Sequence, residues 1–198
     1  LCLVACGCTL LDSLRRPEPP PPPPPRRHTR VDRVAVVTFY DRTPYKQTAR
    51  RLTALLREEL ADVTVAAEFT VVDQRHVPGL RDPFTRGRVS VKSLAALRRM
   101  CKADAVIFGA VESYNPYWQP SLHLTLKAMD TADAAVLFEL SETWDTRDRA
   151  VRYRMEEHYR QRRGTEDFRF GPDLMATSPD CFLRFVSHQV AWRLSGAL

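Results

Sequence analysis

Glycine is scarce in this sequence, which has 7 glycines among 198 residues, all widely separated. Phosphate-binding loops need clustered glycines so that backbone amides can approach the ligand closely. Neither GxxxxGK nor GxGxxG occurs, and this absence disfavours nucleotide binding of those types. The GxSxG turn that presents the nucleophile of α/β-hydrolases is also absent, which disfavours that class of enzyme.

Cysteine and histidine are too scattered to predict a metal site. A structural zinc ion needs four ligands at spacings such as CxxC or HxxxH. The only closely spaced cysteines lie within the first eight residues. The histidines are far apart along the chain: His28, His76, His123, His158 and His188. We therefore predict neither a metal nor another cofactor.

Lysine is also rare, although positive charge exceeds negative charge. The chain has 30 Lys and Arg against 24 Asp and Glu, a net charge of +6. A basic balance is typical of proteins that bind nucleic acid, anionic lipid or acidic polymers. A strong bias toward arginine is equally typical of a GC-rich genome, so composition by itself leaves the partner open.

Long apolar runs are missing, and the apolar stretch over residues 1–14 is shorter than the roughly 20 residues of a membrane-spanning helix. Within it, Leu3-Val4-Ala5-Cys6 resembles the lipobox of bacterial lipoproteins. The resemblance implies that residues 1–5 are the remnant of a signal peptide and that Cys6 is acylated after cleavage. Cys8 also follows a small residue and is the alternative acylation site.

Proline is concentrated in one place, the run from Pro17 to Pro25 that only Glu18 interrupts. Consecutive prolines adopt the extended polyproline II form, which would make this run a semi-rigid spacer of about 28 Å. We predict that residues 6–30 are a disordered, Pro-rich tether anchored at Cys6. Two or more acyl chains would hold such a tether stably in a membrane.

After residue 30 the sequence alternates between strand and helix patterns, with Thr43 as the N-cap and Pro44 in the first turn of the first helix. We predict one α/β domain over residues 31–198, with a mixed sheet of about five strands in the order β-α-β-α-β-β-β. Two helices and a C-terminal helix pack on it. The predicted strands are 33–39, 68–73, 103–114, 122–128 and 136–141, and the helices begin at 43, 91 and 178.

An arginine-rich insertion over residues 147–177 interrupts this pattern. Its first part, Arg147 to Arg163, is weakly amphipathic and predicts a solvated helix, and the remainder predicts an irregular loop. Its arginines are candidates for contact with a partner: Arg152, Arg154 and Arg160.

The turn "SYNPYWQPS" at residues 113–121 crowds Tyr114, Tyr117 and Trp118 between two prolines. Rigid amphipathic aromatics of this kind are typical of binding hot spots, so these three residues are candidate partner-binding residues. The alternative is that they cover one end of the sheet.

Two pairs of residues carry further hypotheses. Glu112 and Asp145 lie near the ends of neighbouring predicted strands and could form the carboxylate pair of a hydrolase acting on peptidoglycan or another glycan. Solvated strand ends are the simpler interpretation.

Cys101 and Cys181 could form a disulfide in an oxidising compartment, or remain ordinary buried thiols.

The motifs "VAVVTF" at 34–39 and "ADAVIFG" at 103–109, with the meander that follows, resemble a family of bacterial envelope proteins. Its α/β domain occurs in the curli-secretion lipoprotein, the penicillin-binding-protein activator lipoprotein and the N-terminal domain of the Tol translocation protein. The resemblance covers residues 31–146 and the last helix, and implies a non-catalytic protein that binds another envelope protein during assembly, secretion or cell-wall synthesis.

Export and acylation together imply a periplasm-facing position in the cell envelope, with the outer membrane favoured over the inner. They also argue against nucleic acid as a partner. The sequence leaves the oligomeric state open.

Replacing the proposed acylation residue tests the anchor. Cys6→Ala should abolish incorporation of labelled palmitate and release the protein from the membrane fraction, because one thiol carries the lipid. Cys8→Ala is the matched control and should retain both. Palmitate incorporation that persists in Cys6→Ala would show that the anchor lies elsewhere.

Overall fold

A six-stranded mixed sheet organises the chain in the computed structural model, which describes residues 31–45, 47–64, 67–86, 89–162 and 177–198. The predicted signal remnant, the predicted acylation residue Cys6 and the predicted Pro-rich tether lie outside the described residues. The strands are β1 (Arg33–Val37), β2 (Tyr40–Asp41), β3 (Glu68–Val72), β4 (Ala105–Asn115), β5 (Ser121–Asp130) and β6 (Val136–Asp145). The α-helices are α1 (Thr48–Val63), α2 (Pro83–Arg86), α3 (Val91–Cys101), α4 (Arg149–Gln161) and α5 (Pro179–Ser195), with a 3₁₀ turn at Gln74–His76.

The sheet order is β3-β1-β4-β5-β6, and the short β2 also pairs with β4. β1 runs parallel to both β3 and β4, whereas β4, β5 and β6 form an antiparallel meander. The parallel pairs require helical crossovers, which α1 and α3 supply. The predicted α/β class, mixed sheet and order of elements are confirmed.

Helices cover the two faces of the sheet unequally. On one face, α1, α4 and α5 pack over a large core that includes Ile107, Leu124 and Trp144. On the other face, α3 covers only the part of the sheet that carries Val37, Val106 and Phe108. β1 and the first half of β4 are therefore buried on both faces, which explains their uninterrupted branched and aromatic residues. None of the described helices is long and apolar enough to cross a membrane.

The first helix begins four residues later than predicted, with Gln47 at the N-cap position in place of Thr43. Thr43 does not cap it, because the Asp41 carboxylate draws this segment into a turn. That carboxylate accepts hydrogen bonds from the Thr43 N–H (3.0 Å) and hydroxyl (2.7 Å), and from the N–H of Ala49 inside α1 (3.2 Å). An aspartate that bonds to the backbone two residues later favours a turn over a helix.

The helix in the arginine-rich insertion is packed into the protein, so the prediction of a solvated helix is wrong. Val151, Met155 and Tyr159 are at most 4% exposed and belong to the main core. The Tyr159 hydroxyl also donates to the backbone carbonyl of Cys181 in α5 (2.5 Å). One apolar stripe is sufficient to bury a helix whose other faces are charged. The remainder of the insertion, residues 163–176, lies outside the described residues.

The two cysteines of the domain lie on opposite faces of the sheet, so the suggested disulfide is not formed. Cys101 packs at the end of α3 against one core, and Cys181 packs in α5 against the other. Both are free thiols. Burial raises the pKa of the Cys101 thiol, which favours its protonated, unreactive form.

The close approach of Phe39 to β4 requires glycine at position 109. A Cβ atom placed on Gly109 would lie 2.6 Å from Cδ1 of the Phe39 ring, a distance that requires the ring to move. Phe39 is 2% exposed and has little space into which to move. Gly109→Ala should therefore lower the free energy of unfolding by about 1–3 kcal/mol, as overpacked cores do, measured by urea denaturation.

The smaller side chain of Phe39→Leu provides the control for this prediction. Combined with Gly109→Ala, it should recover part of the lost stability, because it removes the ring that the new methyl group meets. Independent, additive effects of the two substitutions would contradict a direct contact.

Candidate functional site

A β-bulge in β4 directs Tyr114 toward the helix-covered face. The register between β4 and β5 shifts at Glu112, so that Tyr114 pairs with Leu122 and packs against the main core. Without the extra residue, strand alternation would turn Tyr114 to the other face. The local irregularity thus places the ring beside the segment that leads into α1.

Three tyrosines stack at this end of the sheet and support the aromatic turn, residues 113–121. The ring of Tyr45 lies edge-on to Tyr114 (5.8 Å between centroids) and to Tyr117 (6.1 Å). Burial, assisted by the negative charge of Asp180, raises the pKa of Tyr114 to about 12. Tyr114 is therefore a neutral, half-buried support, and Tyr117 rests on the ring of Tyr45.

The tip of the aromatic turn is exposed even though its backbone is held in place. Tyr117 is 67% exposed and Trp118 is 79% exposed. The Tyr117 N–H donates to the Asn115 side chain (3.2 Å), and the carbonyl of buried Pro120 accepts from the Thr146 N–H (3.0 Å). Two large aromatic side chains are therefore presented to solvent on a restrained turn, an arrangement that lowers the entropic cost of binding.

The candidate arginines of α4 do not form one patch. Arg154 is half-buried and lines a cavity between α4 and α5. Arg152 and Arg160 are exposed, and Arg160 forms an ion pair with Glu157. Because helical residues turn by about 100° each, Arg152 and Arg154 lie on opposite flanks of the helix. Of these three arginines, Arg154 is the one that lines the cavity between α4 and α5.

A buried ionic cluster centred on Glu59 joins three helical segments. Glu59 in α1 is 1% exposed. Its carboxylate accepts two hydrogen bonds from the Arg162 guanidinium (2.7 and 3.1 Å), just beyond α4, and lies 2.9 Å from Nδ1 of His188 in α5. Arg184 adds a positive charge 3.7 Å away. The arrangement is a charge cluster with directed hydrogen bonds, not an isolated surface ion pair.

The protonation states in this cluster follow from burial and charge. Burial opposes ionisation of Glu59, but the hydrogen bonds from His188 and Arg162 outweigh it and lower its pKa to about 2. The neighbouring His158 is buried, and burial together with the positive charges of His188 and Arg162 lowers its pKa to about 3. At neutral pH the carboxylate is therefore ionised and the His158 ring is neutral.

Sequence reasoning missed Glu59, His158 and His188 as members of one cluster. Only the burial of Glu59 could have been predicted from the sequence. Glu59 lies three residues after Leu56 and next to Leu60, on the apolar stripe of its helix, and a charged residue at such a position predicts a buried partner. Its partners are 103 and 129 residues away in the chain, a separation that local patterns do not connect.

The proposed carboxylate pair is separated by a strand, and each member is bound to its own arginine. Glu112 lies in β4 and forms an ion pair with Arg42 (2.7 Å). Asp145 ends β6, and the hydrogen bonds of Arg147 lower its pKa. The general acid of a glycosidase needs a raised pKa, so the environment of Asp145 is unsuited to that role. Among the described residues no group of three or more His, Cys, Asp or Glu could hold a metal ion.

Comparison with known proteins identifies similar solved structures. No protein-family model and no curated protein sequence matches the chain. A PelC dodecamer from Paraburkholderia phytofirmans is similar at 19% identity and a TM-score of 0.45, over 78% of this chain and 87% of that one. Lipoprotein GNA1162 from Neisseria meningitidis is similar at 13% identity and a TM-score of 0.44, over 68% of this chain and 98% of that one.

A third similar structure is the C-terminal domain of LpoB from Salmonella enterica, at 16% identity and a TM-score of 0.38, over 57% of this chain and 82% of that one. The similar structures therefore include members of the envelope-protein family that the sequence resembles.

Acid should destabilise the domain through Glu59. Its pKa falls from the usual 4.5 to about 2 on folding, so the stability it contributes is complete above pH 4.5 and is lost as the pH falls toward 2. Glu59→Gln should lower the free energy of unfolding at pH 7 by about 1.5–3 kcal/mol, because it removes the charge-assisted hydrogen bonds that partly buried cations make to the carboxylate. It should also flatten the dependence of stability on pH between 4.5 and 2.

The neighbouring carboxylate of Glu58 provides the control. It is half-exposed and 3.8 Å from Arg184, so Glu58→Gln should cost no more than about 1 kcal/mol. Urea denaturation at a series of pH values measures both variants. Equal losses at the two positions would contradict a special role for the buried carboxylate.

Proposed function

We propose that this chain is a non-catalytic, lipid-anchored protein of the cell envelope whose α/β domain binds another envelope protein through the aromatic turn. The observation that carries the proposal is the exposure of Tyr117 and Trp118 on a backbone held by hydrogen bonds. The sequence features of the first thirty residues support the location, since a lipobox-like Cys6 followed by a proline spacer is suited to holding a domain away from a bilayer.

The physical basis for binding is preorganisation. Tyrosine and tryptophan rings bury a large area with few rotatable bonds, and such residues dominate the affinity of many protein interfaces. Here the stacking of Tyr117 on Tyr45 reduces the number of conformations that the tip can adopt. A partner would therefore gain apolar contact area without the full cost of ordering a flexible loop.

The hydrolase alternative has weaker support. Arg42 binds both Glu112 and Asp82 at 2.7 Å, so the Glu112 carboxylate is a member of a charge-paired network. The Arg147 guanidinium binds the Asp145 carboxylate in the same way. Neither carboxylate is positioned as a proton donor, and we therefore favour binding over catalysis.

Photocrosslinking from the aromatic turn tests the proposal in cells. A photoreactive phenylalanine at position 118 in the full-length protein should capture one envelope protein, because Trp118 lies at the centre of the proposed contact. Trp118→Ala should reduce recovery of the same partner in pull-down about tenfold or more, as loss of a hot-spot aromatic does. Mass spectrometry of the adduct identifies the partner.

The matched control places the same photoreactive residue at Val91, which is 75% exposed on α3. Equal capture from both positions, or no adduct from position 118, would contradict the proposal. Glu112→Gln and Asp145→Asn should leave the adduct and the cellular phenotype intact. A phenotype lost only in these two variants would instead support the hydrolase.

A further inference from the structure

A cavity of about 200 Å³ opens between α4 and α5, apart from the aromatic turn. Its lining exposes apolar as well as polar atoms and includes Arg154, Glu157, His158 and Gln161 of α4 with His188 and Gln189 of α5. The exposed ring of Tyr153 borders it. Such a volume accommodates a functional group and a few waters, not a drug-sized ligand.

His158 is the most informative residue of the lining. The residue is only 6% exposed, and its Nε2 atom is buried without a hydrogen-bond partner among the described residues. The ring stacks against His188 (4.4 Å between centroids) and Phe185 (5.8 Å), which hold its orientation. Buried polar atoms without a partner are uncommon in folded proteins, and a functional role or a bound water or ion is among their explanations.

The carboxylates of Glu157 and Glu59 are already bound by internal donors. Glu157 lines the cavity with Arg154 and is bound by Arg160 and the Gln161 amide, and Glu59 is bound by Arg162 and His188. Within the described part of the chain, the half-buried Arg154 has neither an ion pair nor a hydrogen bond. The guanidinium of Arg154 is therefore available to bind a ligand in the cavity.

We propose that this cavity binds the oxyanion group of a ligand, a carboxylate or a phosphate, with Arg154 as the charged donor and the His158 imidazole N–H as a second donor inside the cavity. The side-chain amide of Gln189, which also lines the cavity, supplies a third donor. Planar guanidinium groups bind such oxyanions with two parallel hydrogen bonds. The site is independent of the aromatic turn, so either proposal can fail without the other.

Neutral histidine suits this role. Because burial holds the His158 pKa near 3, the ring carries one N–H at neutral pH, and its tautomer can follow the ligand. Nδ1 of His188 lies 2.9 Å from the Glu59 carboxylate, and the same residue lines the cavity. Glu59 therefore acts as a positioning residue for one wall of the site.

Titration of the ¹⁵N-labelled full-length protein with glutarate and, separately, with inorganic phosphate at pH 7 tests the proposal by NMR of the histidine side chains. At least one anion should shift the ring signals of His158 saturably. Arg154→Gln should weaken that binding about tenfold or more, since charge-assisted hydrogen bonds of this kind contribute about 1.5–3 kcal/mol. Sodium chloride at equal ionic strength corrects for screening.

Arg152→Gln, on the opposite flank of α4, is the matched control. It should bind the anion with the same affinity as the unmodified protein. His158→Phe should retain the fold, because a phenyl ring can stack on Phe185, and should weaken binding. Saturation by glutarate alone assigns the site to carboxylates, and saturation by phosphate alone assigns it to phosphates. No saturable shift with either anion, or equal affinity in Arg154→Gln, would overturn the proposal.

Discussion

The buried carboxylate of Glu59 constrains how three helical segments can be arranged. At 1% exposure it needs charged, hydrogen-bonded partners inside the protein. Arg162, after α4, and His188, in α5, supply them. α1 can therefore hold its position on the sheet with a satisfied carboxylate only when both later segments have docked. The cluster links the first helix of the domain to the last, and residues far apart in sequence become one packed unit.

This packing also determines where the binding surfaces lie. Near the start of α5, the negative charge of Asp180 helps to raise the pKa of Tyr114 in the aromatic turn. Near its end, Arg193 forms an ion pair with Glu142 of β6. The cavity opens along the middle of the same helix. α5 therefore contributes a charge near Tyr114 at one end and lines the cavity along its middle.

Local patterns predicted the elements well and their long-range relations poorly. The alternation of Leu122, Leu124 and Leu126 with polar residues identified β5, because a strand with one covered face imposes a period of two. The start of α1 was misplaced because Asp41 accepts from the N–H of Ala49, eight residues away. The docking of α4 was missed because its single apolar stripe is flanked by arginines, and the pattern does not show which surface would cover that stripe.

The distribution of unpaired groups supports recognition more than catalysis. Four carboxylates that could have served as acids or nucleophiles are bound by arginine: Glu59 by Arg162, Glu112 by Arg42, Glu142 by Arg193 and Asp145 by Arg147. An enzyme using general acid catalysis leaves such a group available with a raised pKa. Among the described residues, by contrast, the ring of Trp118 is exposed, the guanidinium of Arg154 has neither an ion pair nor a hydrogen bond, and Nε2 of His158 has no hydrogen-bond partner. Aromatic rings and hydrogen-bond donors are the chemistry by which a surface recognises another molecule, and the fold holds both kinds of group in defined positions.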